Sequence, residues 1–426
     1  MTALIIFGIL TVLMLTGMPI SISLGLTVLT FLFTMTDVPV ESVALKLFTG
    51  IEKFEIMAIP FFILAGNFLT HGGVARRMIH FASSIVGHWH GGLALAGVVA
   101  CALFAAVSGS SPATVVAIGS ILLPAMVKQG YPKEFGVGVI GTAGGLGILI
   151  PPSIVMVIYA VSTNSSIGKL FMAGVVPGLL LAMLLLAVTW IVAKKKNYPR
   201  LPKASWGERI SAFRESFWGL FLIIVVIGGI YSGIFTATEA AAMSAVYAFV
   251  VALFVYKDIG WKQVPKVLID SANMSAMLLY IITNAVLFSF LLTSESIPQN
   301  LAGWINEQGL SPWMFLLVVN LLLLVAGNFM EPSSVLLITA PILFPVAMSL
   351  GIDPIHLGIV MTVNMEIGMI TPPVGLNLYV ASGIAKMGLT DVTKACAPWI
   401  LVMIAYLMLI TYVPAVSLWL PNALGM

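Results

Sequence analysis

The sequence predicts an all-α polytopic membrane protein made of two inverted repeats, each carrying a re-entrant helical hairpin and a broken helix. Three observations predict it: a composition too apolar for water, long windows without charge, and an internal repeat that aligns without gaps. Of the 426 residues, 60% are apolar and only 8% charged, and the mean hydropathy is +1.11. A soluble domain carries roughly 25% charged residues, so a water-soluble globular fold is excluded. Disorder is excluded because so much apolar surface does not stay hydrated. A membrane β-barrel alternates apolar and polar residues, whereas the apolar runs here are unbroken. The net charge of +3, with basic residues scattered between apolar runs, carries no nucleic-acid signature. Cys101 and Cys396 lie far apart inside apolar windows and read as small core residues.

Each element follows from a charge-free window, since a spanning helix needs roughly 20 apolar residues. The windows run 2–17, 20–36, 56–70, 91–127, 135–168, 170–193, 216–238, 240–256, 267–293 with one Asp, 312–330, 332–350, 355–383 with one Glu, and 396–420. The N-terminus has no basic leader region, and residues 1–36 carry no charge, so this stretch is expected to remain as membrane helices. Lys194, Lys195, Lys196, Arg200, Lys203, Arg209 and Arg214 form the strongest cytoplasmic anchor. Windows 91–127 and 312–350 then read as hairpins that enter and leave on one side. With that assignment every basic residue except Lys46, Lys53 and Lys169 falls on the cytoplasmic side. The map gives roughly ten crossings, and both termini lie on the far face.

A shift of 221 residues superposes a second copy on the first. Pro124, Pro151, Pro152 and Pro177 fall on Pro345, Pro372, Pro373 and Pro398, and Gly130 and Gly147 fall on Gly351 and Gly368. Four prolines in register are not a product of apolar composition. An odd number of crossings separates the copies, so they run oppositely through the bilayer. Inverted repeats mark secondary transporters, with the binding site where the halves meet. The predicted layout is N-terminal scaffold helices over 1–55 and repeat 1 over 56–193, with its hairpin near 91–127 and broken helix near 135–162. A basic cytoplasmic loop and scaffold helices cover 194–267. Repeat 2 covers 268–426, with its hairpin at 312–350 and broken helix at 355–383.

Each copy has two interruptions. The first is Ser108-Gly109-Ser110-Ser111-Pro112, matched by Asn328 through Ser334; the second is 144–153, matched by 364–373. About 17 residues precede the first, roughly 25 Å of helix at 1.5 Å per residue, so the hairpin tip reaches deep into the membrane. Paired prolines remove two backbone donors and free the carbonyls one turn earlier. Such backbone survives in a membrane only where it faces protein or a watered cavity. Free carbonyls beside Ser and Thr hydroxyls are hard oxygen ligands suited to Na⁺, and helix N-termini at the same breaks favour an anion. Buried carboxylates are candidates for function by default: Glu331 and Glu366 sit at the second copy's breaks, Asp270 lies near a cytoplasmic edge, and Glu239 in TATEAAA suits a helix cap. Gly109-Ser110 in a membrane helix suggests an intramembrane serine protease. That chemistry needs a histidine within reach, and all five histidines map to loops or membrane edges. No HExxH or P-loop motif is present, so an enzyme is not expected.

The stretches Phe61–Asn67 (FFILAGN), Gly109–Pro112 (GSSP), Gly147–Ser153 (GILIPPS) and Thr236–Ala242 (TATEAAA) resemble the large membrane subunit of tripartite ATP-independent periplasmic (TRAP) transporters. The likeness covers essentially the whole chain and is greatest to the C4-dicarboxylate branch. The resemblance implies a Na⁺-coupled symporter of elevator type in the bacterial inner membrane. It also implies a small four-helix membrane subunit and a periplasmic binding protein that delivers the organic acid. By resemblance one Na⁺ site falls on Ser108, Ser110, Gly147, Ile150 and Pro152. The repeat offset puts a second near Glu331, Gly368, Thr371 and Pro373. There Ser108 is replaced by Phe329 and Ser110 by Glu331. Substrate contacts are expected between the breaks, on Ser111, Ser153, Asn328 and Asn364. The alternatives are a sialic-acid TRAP subunit, which shares the scaffold, and a stand-alone Na⁺/dicarboxylate carrier of similar design.

Overall fold

A computed structural model describes residues 2–36 and 39–425. Met1 and Met426, whose side the charge map assigns, lie outside the described residues. All regular structure among the described residues is helical. α1 (Thr2–Leu15), α2 (Ile20–Met35) and α3 (Val40–Thr49) lead through a 3₁₀ turn at Phe54–Met57 into α4 (Ala58–His71) and α5 (Val74–Val86). α6 (Gly92–Ser108) and α7 (Ser111–Lys128) form the first hairpin. α8 (Lys133–Ala143), α9 (Leu146–Leu149) and α10 (Ile154–Thr163) form the first broken helix, followed by α11 (Ile167–Lys195). α12 (Trp206–Tyr231) and α13 (Ala237–Val250, continued by a π turn) join the halves, and α14 (Val264–Ser294) and α15 (Ile297–Glu307) follow. α16 (Pro312–Gly327) and α17 (Pro332–Ser349) form the second hairpin; α18 (Pro354–Gly368) and α19 (Leu376–Ala385) the second broken helix. α20 (Leu389–Tyr412) and α21 (Ala415–Ala423) end the chain.

Nine helical stretches among the described residues are long and apolar enough to cross a membrane. Two of them, Ser111–Lys128 and Pro332–Ser349, are hairpin arms, so length alone does not separate a crossing from a hairpin. Helices end and restart at the interruptions: after Ser108 and Leu149 in the first copy, and after Gly327 and Gly368 in the second. The charge-free windows miss α3, α5 and α15 because each carries a polar face. In α5, Arg76, Arg77 and His80 share the helix with buried Val74, Ala75, Met78, Ile79 and Ala82, so its charge lies to one side while the other side packs. The last window, 396–420, is not one element. α20 begins seven residues earlier, taking in Asp391 and Lys394, and ends at Tyr412, where Pro414 starts α21. Proline has no N–H to continue the ladder. His356, expected at a membrane edge, is 1% exposed in the first turn of α18. Its Nε2 lies 3.2 Å from the Thr411 carbonyl and its Nδ1 3.3 Å from the Ser417 hydroxyl.

Local chemistry sets the helix ends. The side chains of Ser153, Ser166 and Asp353 cap α10, α11 and α18. Thr236 and Glu239 form a reciprocal capping box at α13, so Glu239 is a cap. Both cysteines are buried and free.

The repeat is visible in the packing. Ser111, Lys128 and Lys133 bound helices in the first copy; 221 residues on, Pro332, Ser349 and Pro354 bound their counterparts. α7 packs on α19, and its counterpart α17 packs on α10. α8 packs on α20, and α18 on α11. Each copy thus builds its core partly from the other. Gly145 and Glu366 are equivalent positions, and they meet: a Cβ on Gly145 would lie 2.7 Å from the Glu366 carboxylate.

Candidate functional site

The first hairpin turns at Gly109, whose φ of +61° suits glycine. α7 then starts at Ser111 with no side chain capping it. The tip gathers oxygen atoms: Ser108 Oγ lies 3.0 Å from Thr114 Oγ1, which donates to the Ser110 carbonyl at 2.8 Å. This tip lies on the first broken helix. A Cβ on Gly147 would stand 2.5 Å from the Ser110 carbonyl oxygen and 2.8 Å from Ser111 Cα. The Ile154 N–H donates to the Gly109 carbonyl at 3.4 Å. Only a residue without a side chain permits the approach at 147.

Pro151 and Pro152 stand four residues after Gly147 and Ile148, so neither of those carbonyls has a helical donor. The Ser153 hydroxyl supplies Ile148 at 2.6 Å. No hydrogen bond reaches the Gly147 carbonyl among the described residues. Ser108, Ser110, Gly147 and Pro152 are therefore brought together. The Ile150 side chain turns away, toward Gly178.

The second copy differs. Its tip approaches α18 closely: a Cβ on Gly368 would lie 2.8 Å from Gly327 Cα. Asn328 accepts from the Val374 N–H at 3.0 Å, next to Pro373. Here both freed carbonyls are served, Gly368 by the Thr371 N–H at 3.2 Å and Met369 by the Asn377 N–H at 2.9 Å. The Thr371 hydroxyl donates to Ile367 at 2.7 Å. The Glu331 carboxylate accepts from Ser333 Oγ at 2.7 Å and from the Ser334 N–H at 3.2 Å, capping α17.

The tips and breaks face a cavity of about 410 Å³. Of the sequence candidates, Ser110, Ser111 and Glu331 line it. Ser153 is fully buried in its capping role. Asn364 is fully buried and donates to Asn320 at 2.8 Å. Asn328 lies in the second tip but does not line the cavity, and its buried Oδ1 has no hydrogen-bond partner among the described residues. The cavity wall includes the first residues of four helices: Ser111 and Pro112 of α7, Ile154 and Val155 of α10, Pro332 and Ser333 of α17, and Leu376 of α19. Among the described residues, no Lys or Arg lines it. α10 and α17 are capped by Ser153 and Glu331, while α7 and α19 have no side-chain cap. The positive ends of the latter two helix dipoles remain available to an anion.

Sequence reasoning missed four polar residues here. Asn67 and Thr70 of α4 line the cavity, and Asn67 donates to Ser271 of α14 at 2.8 Å. Thr114 carried a signal, a hydroxyl one turn after Ser110. Asn377 donates to Ser111 Oγ at 2.6 Å, tying the second broken helix to the first hairpin. Nothing local reveals that pairing, since 266 residues separate the two.

Comparison with known proteins places the chain in a family. The family model described as tripartite ATP-independent periplasmic transporter, DctM component, matches residues 7–416. The chain is 72% identical to the C4-dicarboxylate TRAP transporter large permease protein DctM of Rhodobacter capsulatus, over the whole of both chains. It is 36% identical to the sialic acid TRAP transporter large permease protein SiaM of Vibrio cholerae, covering 95% of each. Among solved structures, the Alcanivorax borkumensis YdaH transporter matches with a TM-score of 0.65 at 15% identity, covering 93% of this chain and 89% of that one; the likeness is one of fold.

Proposed function

Because the chain belongs to the TRAP transporter family as its DctM component, the large permease, we propose that it carries a C4-dicarboxylate across the bacterial inner membrane by Na⁺ symport. The 72% identity to a C4-dicarboxylate permease, against 36% to a sialic-acid one, supports the substrate class. The observation that carries the mechanism is the convergence of helix N-termini on a cavity lined by no Lys or Arg among the described residues, while Gly147, one residue before the lining Ile148, keeps a carbonyl that no described residue hydrogen-bonds. The first feature suits a carboxylate and the second a hard cation.

The residues present fit Na⁺. One ion is held by oxygens of Ser108, Ser110, Gly147, Ile150 and Pro152, and Thr114 adds a hydroxyl beside them. A second is held near Glu331, Gly368, Thr371 and Pro373, where the backbone is less open because Thr371 already serves Gly368. Bound cations at the tips lower the cost of burying the dianion between them. Ser111, Ser153, Asn328 and Asn364 are the proposed substrate contacts, with Ser111 nearest the cavity.

In this scheme the hairpins and broken helices move together against a scaffold that includes α1–α3 and α12–α13, the elevator arrangement. A small four-helix membrane subunit extends that scaffold, and a periplasmic binding protein delivers the acid. The domain layout follows the repeats (56–193 and 268–426), with 1–55 and 194–267 as scaffold, the basic loops inside and both termini outside. The test is uptake of labelled succinate and sialic acid by the reconstituted three-part complex, with and without an imposed Na⁺ gradient. Succinate uptake that follows the gradient is expected. Uptake indifferent to Na⁺ removes the coupling, and preference for sialic acid removes the substrate assignment.

A further inference from the structure

A second cavity, of about 290 Å³, lies on the same seam as the central one. Helices α10, α14 and α17 line both. On α10 the lining moves from Val155 to Val161, on α14 from Leu278 to Ala285, and on α17 from Ser333 to Leu337. Six or seven residues on α10 and α14 correspond to roughly 10 Å of rise. All three helices run toward the same face. Along the three helices, Ile158, Ile282 and Leu336 come between the residues lining the two cavities, and each is 0% exposed, so we read them as an apolar septum.

The outer cavity differs from the central one in charge. Lys46 and Lys53 line it together with Thr49, Ser162, Asn164 and Ser289. Lys53 Nζ donates to the Val161 carbonyl at 3.0 Å and to Asn164 Oδ1 at 2.6 Å. Both acceptors are neutral. An ammonium has three donors, so one N–H is left for a ligand, and the charge faces no carboxylate partner among the described residues. Lys46 Nζ sits 5.2 Å from the Phe290 ring centre. Neither lysine forms an ion pair among the described residues. Glu55 shares a smaller neighbouring recess with Lys53 but does not line this cavity. The volume is close to the ~300 Å³ at the small end of ligand sites.

We propose that this cavity is an outer anion subsite, in which Lys46 and Lys53 hold a carboxylate of the organic acid before the septum opens to the central cavity. The proposal rests on the function given above, which places this face outside. The lysines raise the local concentration of an anionic solute at the entrance, while the site beyond the septum binds without them. That division suits transport: a fixed cationic side chain at the central site, unlike a co-transported Na⁺ that also leaves, would hold the anion too tightly for release.

The test uses the complete transporter in proteoliposomes. A membrane-impermeant amine acylating reagent is applied with and without succinate, and modification is read by mass spectrometry, with Lys169 as the internal reference. Succinate is expected to protect Lys46 and Lys53 and to leave Lys169 unchanged. In uptake, the K46Q/K53Q pair is expected to raise the apparent KM for succinate about five- to tenfold, as for loss of two exposed charge contacts. The effect on KM should exceed that on the limiting rate, and K46R/K53R should restore it. Equal labelling with and without succinate overturns the proposal, as does an unchanged KM in the double Gln variant. Protection by the ligand-free binding protein alone, without succinate, also overturns it, because the lysines then meet a protein surface. If the wild-type complex does not transport succinate, the functional assignment itself fails, a result distinct from either.

Discussion

Gly147 is the residue at which sequence, geometry and chemistry meet most tightly. A side chain there has nowhere to go, because the nearest neighbours are backbone atoms of Ser110 and Ser111. Gly147→Val is expected to displace the first hairpin tip, with overpacking of about 1–3 kcal/mol, and to weaken Na⁺-dependent uptake sharply. Uptake that keeps its wild-type sodium dependence in this variant would show that the tip is not the ion site. Asn377 is the second residue of this kind. Its amide is the direct side-chain bond from the second broken helix to Ser111. Asn377→Ala should lower the thermal midpoint of the detergent-solubilised complex, at a cost of about 1–3 kcal/mol for the lost buried partner. Ser111→Ala combined with it should cost less than the sum of the two single changes; strict additivity would mean that the bond is absent. Gly147 was legible in the sequence because paired prolines and a repeat pointed at it. Asn377 was not, because its partner is assigned only by the way α19 crosses α7.

At the level of elements, the two broken helices carry the same proline pair but not the same outcome. Both Pro151-Pro152 and Pro372-Pro373 remove two donors. In the first copy a serine hydroxyl serves one freed carbonyl and the other stays free; in the second, backbone N–H groups of Thr371 and Asn377 serve both. Pro151→Ala restores a donor four residues after Gly147. It should raise the sodium concentration for half-maximal uptake roughly two- to tenfold, the worth of one hydrogen bond to a competing ligand. Pro152→Ala restores a donor only to Ile148, already served by Ser153, and should shift it less. Equal shifts would remove Gly147 from the ion's ligands. The breaks themselves were readable because proline acts on its own chain. Whether a freed carbonyl finds another donor depends on how the following residues turn, and the proline pair alone does not state that. The amphipathic α3, α5 and α15 escaped the charge-free windows for a related reason: their charge is confined to one side, and a window averages over both.

At the level of the molecule, the halves exchange helices. α7 lies on α19 and α10 on α17, so each half alone leaves apolar faces uncovered. The loop between α11 and α12 has no regular structure over 197–205. Cutting the gene there and co-expressing 1–200 with 201–426 should give an assembled, transporting protein, whereas either half alone should be degraded. A half that accumulates and folds alone, judged by a single sharp gel-filtration peak, would show that the interlocking is dispensable. The exchange also explains why the cavity is central: every tip and every break belongs to the shared interface, so helix N-termini from both copies end in one place.

The sequence by itself determined what each stretch of chain dictates locally. Apolar windows demanded a membrane, prolines and glycines demanded breaks, and a 221-residue register demanded two copies of one plan. The tertiary structure alone decided which side chains meet across the copies: Asn377 with Ser111, Gly145 with Glu366, and two uncapped helix ends in a cavity whose lining has no basic residue. The physical reason is range. Backbone donors and hydrophobic periodicity act within a few residues of themselves. Contacts between copies depend on how whole helices pack, a property spread over hundreds of residues and written at no single one.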